Sequence, residues 1–308
     1  MIPTFNCARF LGETLRSVFA QDPGPAKMHI CVVDDCSTKD DPEAVVRGLG
    51  GGRVAFVRNE ANLGATRNFN RCIELSCGEL VHILHGDDLV SAGFYDVIER
   101  MAHDNPDCAF YATRTMGIDE NGVPEWISAR TKTLERASND VSEVVRRQPF
   151  WTPSVVVRRS FYERHGGFDM DLVHCADWEM WARAIYHGGG LVHTEPLARY
   201  RTFASNDSSR LEQTGENVDD HLRLIGAFAK FPAFQQRQFI RMCADLALGQ
   251  AQRFASAGDT KSAAANFRVY RSVAPLHDRL RRSARASARR LARLVGVVHA
   301  ADEDATSH

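Results

Sequence analysis

Apolar positions in the first half of the chain alternate between two periods. Leu11, Leu15, Val18 and Phe19 recur at i, i+4, i+7 and i+8, which predicts a one-sided helix over residues 9–20. Residues 29–33 form a short β-branched run between Pro25 and Asp34-Asp35, the pattern of a buried strand. Asp41-Pro42 offers an N-cap followed by proline at the first helical position, opening a short helix that ends at Gly48. The alternation continues: a strand over 54–58, a helix over 63–77 and a strand over 80–84. A helix then carries Phe94, Val97, Ile98 and Met101, and another strand runs over 108–113. Strands alternating with helices of this length imply βαβ units, so the expected class is α/β with a mostly parallel sheet flanked by helices. From about Leu211 helical patterns dominate, and residues 247–257 and 261–273 read as an antiparallel helical hairpin with small residues at its seam. The expected domains are 1–210, α/β; 211–298, helical with a basic tail; and 299–308, disordered.

Composition narrows the class. With 44% hydrophobic and 25% charged residues, the chain is an ordinary globular protein, and a net charge of −1 gives no overall pull toward nucleic acid. The eight cysteines are scattered without a CxxC pair, so they are read as reduced and the compartment as cytoplasmic. No run approaches the roughly 18 apolar residues of a spanning helix, and no signal peptide is visible. Residues 279–293 carry seven arginines. A solvated helix is the default reading of that tail. Attraction to an anionic membrane surface, worth ~1 kcal/mol per basic residue, is the sharper one. It would place the protein at the inner face of the membrane. No aromatic residues interleave the arginines, and no nucleic-acid partner is expected.

Candidate chemistry gathers where the strands end. Ligands of open α/β sheets collect beyond the carboxyl ends of the strands. Here one strand runs into Asp34-Asp35-Cys36-Ser37 and another into His85-Gly86-Asp87-Asp88. A single acidic pair in such a place is commonly a turn or cap; two pairs on one sheet point to a ligand. Carboxylates suit Mg²⁺ or Mn²⁺, hard ions that neutralise a departing pyrophosphate. Asp87 and Asp88 are the candidate metal ligands, while Asp34 or Asp35 can accept hydrogen bonds from a base or ribose. Trp178, Trp181 and Ile185 share a helical face, which puts Asp177 at the start of a helix. There it either caps the helix or acts as general base toward a hydroxyl. His82 and His85 are expected on opposite faces of a strand, with structural roles. His174, close to Asp177, is a candidate acceptor-side residue, as is Trp151.

The ordered series Ile2-Pro3-Thr4-Phe5-Asn6, Val32-Val33-Asp34-Asp35-Cys36-Ser37-Thr38, Asn62-Leu63-Gly64-Ala65-Thr66-Arg67-Asn68, His85-Gly86-Asp87-Asp88, Gly166-Gly167-Phe168-Asp169 and Ala176-Asp177-Trp178-Glu179-Met180-Trp181 resembles the family-2 glycosyltransferases over about residues 1–205. The resemblance implies the GT-A fold and an inverting transfer of sugar from a nucleotide-diphosphate donor to a glycan or lipid-linked acceptor, in bacterial surface glycan or polysaccharide assembly. It places Pro3, Thr4 and Asn6 in the nucleotide pocket and Asp34 and Asp35 at the base and ribose. Asn62, Gly64 and Arg67 border the donor. Asp87 and Asp88 form the DxD-type motif that holds ribose and metal. Asp177 is the catalytic base, Trp178 faces the acceptor, and Arg201 meets the diphosphate. Three positions differ from the family pattern. Met1 stands directly before Ile2, implying a short first strand. His85 replaces a common Asp, so metal binding rests on Asp87 and Asp88. Phe203 stands where many members have His.

Two other functions use the same residues. One is a metal-dependent nucleotide hydrolase or nucleotidyltransferase, and the other a non-catalytic nucleotide-sugar-binding protein.

Overall fold

The computed structural model describes residues 1–203 and 207–275. In chain order the elements are β1 (Ile2–Thr4), α1 (Ala8–Phe19), β2 (Cys31–Asp34), α2 (Pro42–Gly50), β3 (Ala55–Arg58), α3 (Ala65–Leu75), β4 (Leu80–His82), β5 (Leu89–Val90) and α4 (Phe94–Asp104). There follow β6 (Phe110–Ile118), β7 (Pro124–Ile127), β8 (Val155–Arg158), α5 (Arg159–His165), α6 (Ala176–Gly188) and β9 (Gly190–Arg201). Helices α7 (Asp207–Thr214), α8 (Glu216–Phe228), α9 (Gln236–Ser256) and α10 (Thr260–Val273) complete the chain. The arginine tail and the last residues lie outside the described part.

The described chain divides into two compact units. The first comprises Met1–Leu211 and Arg223–Gln235, and carries the sheet. The second comprises Glu212–Leu222 and the chain from Gln236 onward. In the second, Ala244, Ala247 and Ala251 are buried on α9, and Asp259 caps α10 by accepting from the Ser262 amide.

The helical periodicity of α1 is realised as burial. Leu11, Leu15 and Val18 join Ile2, Val32, Leu84 and Phe94 in one core cluster, each such side chain contributing roughly 2 kcal/mol of apolar transfer. Strands β1, β2 and β3 are parallel, in the order β1-β2-β3. A second sheet runs β4-β8-β6-β9-β5, with β7 added to the far end of β6. Backbone hydrogen bonds stitch the two together. The Met1 ammonium donates to the His82 carbonyl, and the Leu84 and Gly86 amides donate to the Met1 and Pro3 carbonyls. The short β1 is therefore an interior strand with partners on both edges, which is why three residues suffice for a strand there.

The parallel pattern expected from alternation holds for β1-β2-β3 and returns between β6 and β9, with antiparallel strands between and beside them. Strand β8 runs antiparallel to both β4 and β6, and β5 runs antiparallel to β9. The sheet is mixed because β7 returns on β6 as a hairpin and the long excursion after β7 brings β8 back antiparallel to β6.

The loops after β1 and β2 hold two non-glycine residues at positive φ, Asn6 (51°) and Cys36 (61°). Asn6 is compensated: its Oδ1 accepts from the Thr38 and Lys39 amides, and its own amide donates to Ser37 Oγ. Asparagine also tolerates this region better than most residues. Cys36 sits there because the Asp34 carboxylate, which accepts from the Ser37 amide and hydroxyl, folds the chain back sharply. Replacing Cys36 by Gly should stabilise the fold by up to about 1 kcal/mol, and Cys36→Val should destabilise it by about 2 kcal/mol, read by denaturant unfolding. Equal stability of the two variants would contradict a strained turn.

Candidate active site

Three strand ends meet at one rim of the sheet. Gly86 is the contact point: a Cβ there would lie 2.9 Å from Cys7 Sγ and 3.0 Å from Thr4 Oγ1. Only a glycine lets the 85–88 turn press onto the loop after β1. Thr14 Oγ1 donates to the Gly86 carbonyl, and the Asp35 amide donates to the Thr4 carbonyl, so the ends of β1, β2 and β4 are tied together.

The two acidic pairs have different surroundings. Asp34 and Asp35 are buried, but their oxygens are occupied. Asp34 accepts from Ser37 and from Arg58 Nη1 at 2.7 Å. Asp35 accepts from Asn59 Nδ2 and from the Leu63 and Gly64 amides, all at 2.9 Å. Its carboxylate thus shapes the loop that enters α3, and Asn62 Nδ2 donates to its carbonyl. Asn62, Gly64 and Arg67 are exposed on that loop and the first turn of α3.

In the second pair, Asp88 is fully buried. Its Oδ1 accepts from the Arg201 amide at 2.8 Å, while Oδ2 has no hydrogen-bond partner. His85 Nδ1 lies 3.4 Å from Asp88 Oδ2, its Nε2 is buried without a partner, and its ring stacks on Phe69. One ligand atom each from His85, Asp87 and Asp88 falls within a 4.8 Å cluster. Orphaned buried polar atoms are costly unless something binds them, and two carboxylates with an imidazole suit a divalent cation. The residues fit a metal. Burial, then the neighbouring Asp88 charge, pushes the Asp87 carboxyl well above the usual carboxylate range. His82, by contrast, is a core residue: it bonds Tyr95 Oη and the Pro153 carbonyl, and burial lowers its pKa to about 3. A structural role was expected for both histidines. His85 departs from that expectation, because the turn after β4 brings it back toward Asp88.

Asp177 opens α6 beside this cluster. Burial raises its pKa to about 6, opposed by hydrogen bonds from the Trp178 amide and Gln148 Nε2 and by the charge of His85. His85 in turn feels Asp177, and Tyr200 feels Asp87, Asp88 and Asp177 together. These groups therefore share one electrostatic neighbourhood. The Gly166-Gly167-Phe168-Asp169 segment explains how α6 is aimed. Asn70 of α3 brackets Phe168, accepting from its amide and donating to its carbonyl, and Thr66 Oγ1 donates to the Leu172 carbonyl. Arg183 donates to the carbonyls of His165, Gly166 and Gly167 and pairs with Glu179. Helix α3 is thereby tied to the segment that leads into the helix carrying Asp177.

The structure corrects two expected contacts. Trp178 does not face an open site: it is 1% exposed, and its indole N–H donates to the Val144 carbonyl at 2.7 Å. As the first hydrophobic residue of α6 it points into the core, where its ring meets Phe228. Arg201 does not present a free guanidinium to a diphosphate. Its Nε donates to the Asp87 carbonyl, Nη1 to the Asp119 and Glu120 carbonyls, and Nη2 to Glu13, over the face of Phe10. Trp151 is half-buried against Trp126, and His174 is half-buried just before α6. His85, Gln148, Tyr200 and Trp126 were not singled out beforehand as site residues. His85 alone carried a signal, the spacing His-x-Asp-Asp. A cavity of about 540 Å³ lined by Asp169, Asp171, Glu179, Arg223 and Lys230 includes none of Asp34, Asp35, Asp87, Asp88 and Asp177.

The model of glycosyl transferase family 2 matches residues 1–164, more than half of the chain. The chain belongs to this family. Among curated relatives, an uncharacterized Mycobacterium tuberculosis protein, MT1568, is 26% identical over 73% of each chain. The abequosyltransferase RfbV of Salmonella typhimurium is 28% identical over 38% of this chain and 36% of its own. The succinoglycan biosynthesis protein ExoU of Rhizobium meliloti is 29% identical over 61% and 56%. The matched stretch thus spans about a third to a half of these two named relatives. Among solved structures, TarS 1–349 of Staphylococcus aureus with UDP-GlcNAc superposes with a TM-score of 0.56 at 16% identity, covering 88% of this chain and 90% of that one. The mannosyltransferase PcManGT of Pyrobaculum calidifontis with GDP-Man and Mn²⁺ gives 0.55 at 18%, covering 93% and 78%. These likenesses establish the GT-A-type fold, and the family establishes a glycosyltransferase. No helix among the described residues is long and apolar enough to cross a membrane.

In this glycosyltransferase Arg201 is a tie rather than a ligand contact. Arg201→Leu should destabilise the fold by about 3 kcal/mol, because three carbonyls and the Glu13 carboxylate lose their guanidinium donor. Lysine, lacking the planar fork, should recover less than half of that loss. Urea unfolding of the two variants reads the difference, and a loss under 1 kcal/mol in both would show that the tie is dispensable.

Proposed function

We propose that this glycosyltransferase moves a sugar from a nucleotide-diphosphate donor to an acceptor hydroxyl by a single inverting displacement, with Asp177 as general base. The observation that carries this reading is the pairing of environments. A half-buried carboxylate with a raised pKa stands beside a separate cluster, His85, Asp87 and Asp88, that has unpartnered ligand atoms. The first suits taking up a proton and the second suits holding a cation.

Pro3, Thr4, Asn6, Asp34, Asn62, Gly64 and Arg67 line or border the donor side. Asp35 acts through the loop it organises. His85, Asp87 and Asp88 hold the cation, Mn²⁺ or Mg²⁺, which neutralises charge on the departing diphosphate. Asp177 Oδ2, oriented by Gln148, accepts the proton of the acceptor hydroxyl. The hydroxyl oxygen then bonds to the anomeric carbon as the bond to the diphosphate oxygen breaks on the opposite face, so configuration inverts. The curated relatives RfbV, WcaA of Escherichia coli and ExoU, the latter two named for colanic acid and succinoglycan biosynthesis, support polysaccharide assembly as the setting and a glycan or lipid-linked glycan as acceptor.

The base must be ionised to work, so transfer should rise with pH along a limb centred near 6. Asp177→Asn should lower transfer by about 10²–10⁴-fold with donor binding retained. Gln148→Leu removes a hydrogen bond that favours the ionised carboxyl, so its limb should move to higher pH. Release of free nucleotide from a panel of nucleotide sugars, with candidate acceptors, measures all three. Donor binding with no turnover at any pH would instead indicate a binding protein.

An imidazole among the ligands favours Mn²⁺ over Mg²⁺. Calorimetry should give Mn²⁺ binding about tenfold or more tighter, and His85→Asp should narrow that ratio. An unchanged ratio would remove His85 from the ligand set.

A further inference from the structure

One row of residues crosses three neighbouring strands of the second sheet. Trp126 of β7 pairs in register with Gly117 of β6, and Gly117 pairs with Tyr200 of β9. Directly paired residues put their side chains on the same face of a sheet. The middle residue has no side chain, and the Trp126 ring fills its place. A Cβ on Gly117 would lie 2.0 Å from Trp126 Cε2 and 2.3 Å from Nε1. No ordinary residue fits there with the indole in this position.

Trp151, immediately before the 3-10 turn at Thr152–Ser154, completes the group. Its ring centroid is 4.6 Å from that of Trp126 and 6.2 Å from that of Tyr200, with interplanar angles of 43° and 42°. Tyr200 links these rings to the catalytic cleft. The amide of Arg201, the residue after Tyr200, donates to Asp88 Oδ1 at 2.8 Å, and Gln148, three residues before Trp151, donates to Asp177 Oδ2 at 2.7 Å. Both tryptophans are half-buried, and the hairpin that carries Trp126 is open to solvent at Val123 and Ile127. The aromatic surface is therefore continuous with the site of proton transfer.

We propose that Trp126 and Trp151, seated on Gly117 and abutting Tyr200, form a subsite that stacks a pyranose ring of a saccharide acceptor next to Asp177. One face of a pyranose presents C–H bonds polarised by the ring oxygens, and an indole face carries the complementary negative quadrupole. Two rigid indoles hold such a ring at low conformational cost. The hydroxyls at the ring edge stay free to meet Asp177. This inference rests on the proposed transfer reaction and deepens it: the acceptor is recognised through its sugar rather than through a lipid or peptide portion.

The test is a titration of intrinsic tryptophan fluorescence in the full chain with maltotriose, cellotriose, mannotriose and chitotriose, and separately with a prenyl phosphate in detergent micelles. At least one trisaccharide should quench and saturate. Trp126→Ala should weaken that binding by about tenfold or more, a typical loss for a central aromatic contact. Gly117→Val keeps both indoles but displaces the Trp126 ring, and should weaken binding to a similar degree. Ile127→Ala, one residue along the same strand and facing the other way, should bind as the parent does. Thermal melts confirm that each variant is folded. Quenching by none of the trisaccharides, equal affinity in Trp126→Ala, or saturation by the prenyl phosphate alone would each overturn the proposal. Binding of nucleotide sugars to the unmodified protein, measured separately, shows whether the transfer reading fails instead.

Discussion

The arrangement of this enzyme depends on a buried guanidinium. Arg201 ends β9, and its guanidinium makes four hydrogen bonds, to the Asp87, Asp119 and Glu120 carbonyls and the Glu13 carboxylate, while its amide holds one oxygen of Asp88. A charge taken so far from water is tolerable only when its donors are met. Those partners come from α1, from the turn after β4 and from the turn after β6. The need to satisfy one side chain thus sets how these pieces stand to one another. It also decides which oxygen of Asp88 is left over. Oδ1 is held by backbone, and Oδ2 is turned toward His85 with no partner.

From that constraint follows a division of labour among the carboxylates. Asp34 and Asp35 are buried but fully hydrogen-bonded, to Ser37, Arg58, Asn59 and two amides, so they shape the loops after β2 and β3. Asp88 is buried, Asp87 and Asp177 are half-buried, and all three have fewer partners. In Asp87 and Asp177 burial outweighs the hydrogen bonds, and the affinity for a proton rises. The same residue type therefore serves as scaffold in one place and as reactive group in another, according to how many donors surround it.

Glycines at two close approaches do related work. Gly86 lets the metal-side turn touch Thr4 and Cys7, and Gly117 lets an indole lie on the sheet. In both cases the absent side chain makes room for the side chain of a neighbouring element. The neighbour cannot be named from the glycine alone.

The sequence by itself determined the α/β class, helices α1 to α4 and strands β2, β3 and β4 to within a few residues, the start of β6, and the acidic pairs at the ends of β2 and β4. These depend on local periodicity and on short motifs, and both are written along the chain. It also placed Asp177 at the start of its helix. What lay beyond it was pairing at long range. Strands β5, β7, β8 and β9 have no clear period of their own, because they form between neighbours supplied by distant segments. The direction of Trp178, the internal ties of Arg201 and Asp35, and the return of His85 toward Asp88 were likewise decided only in the folded chain. Each of these depends on which group sits opposite a side chain more than twenty residues away, or on the bend of a single turn. Periodicity says which face of an element is apolar. It does not say what that face, or the polar atoms beside it, will meet.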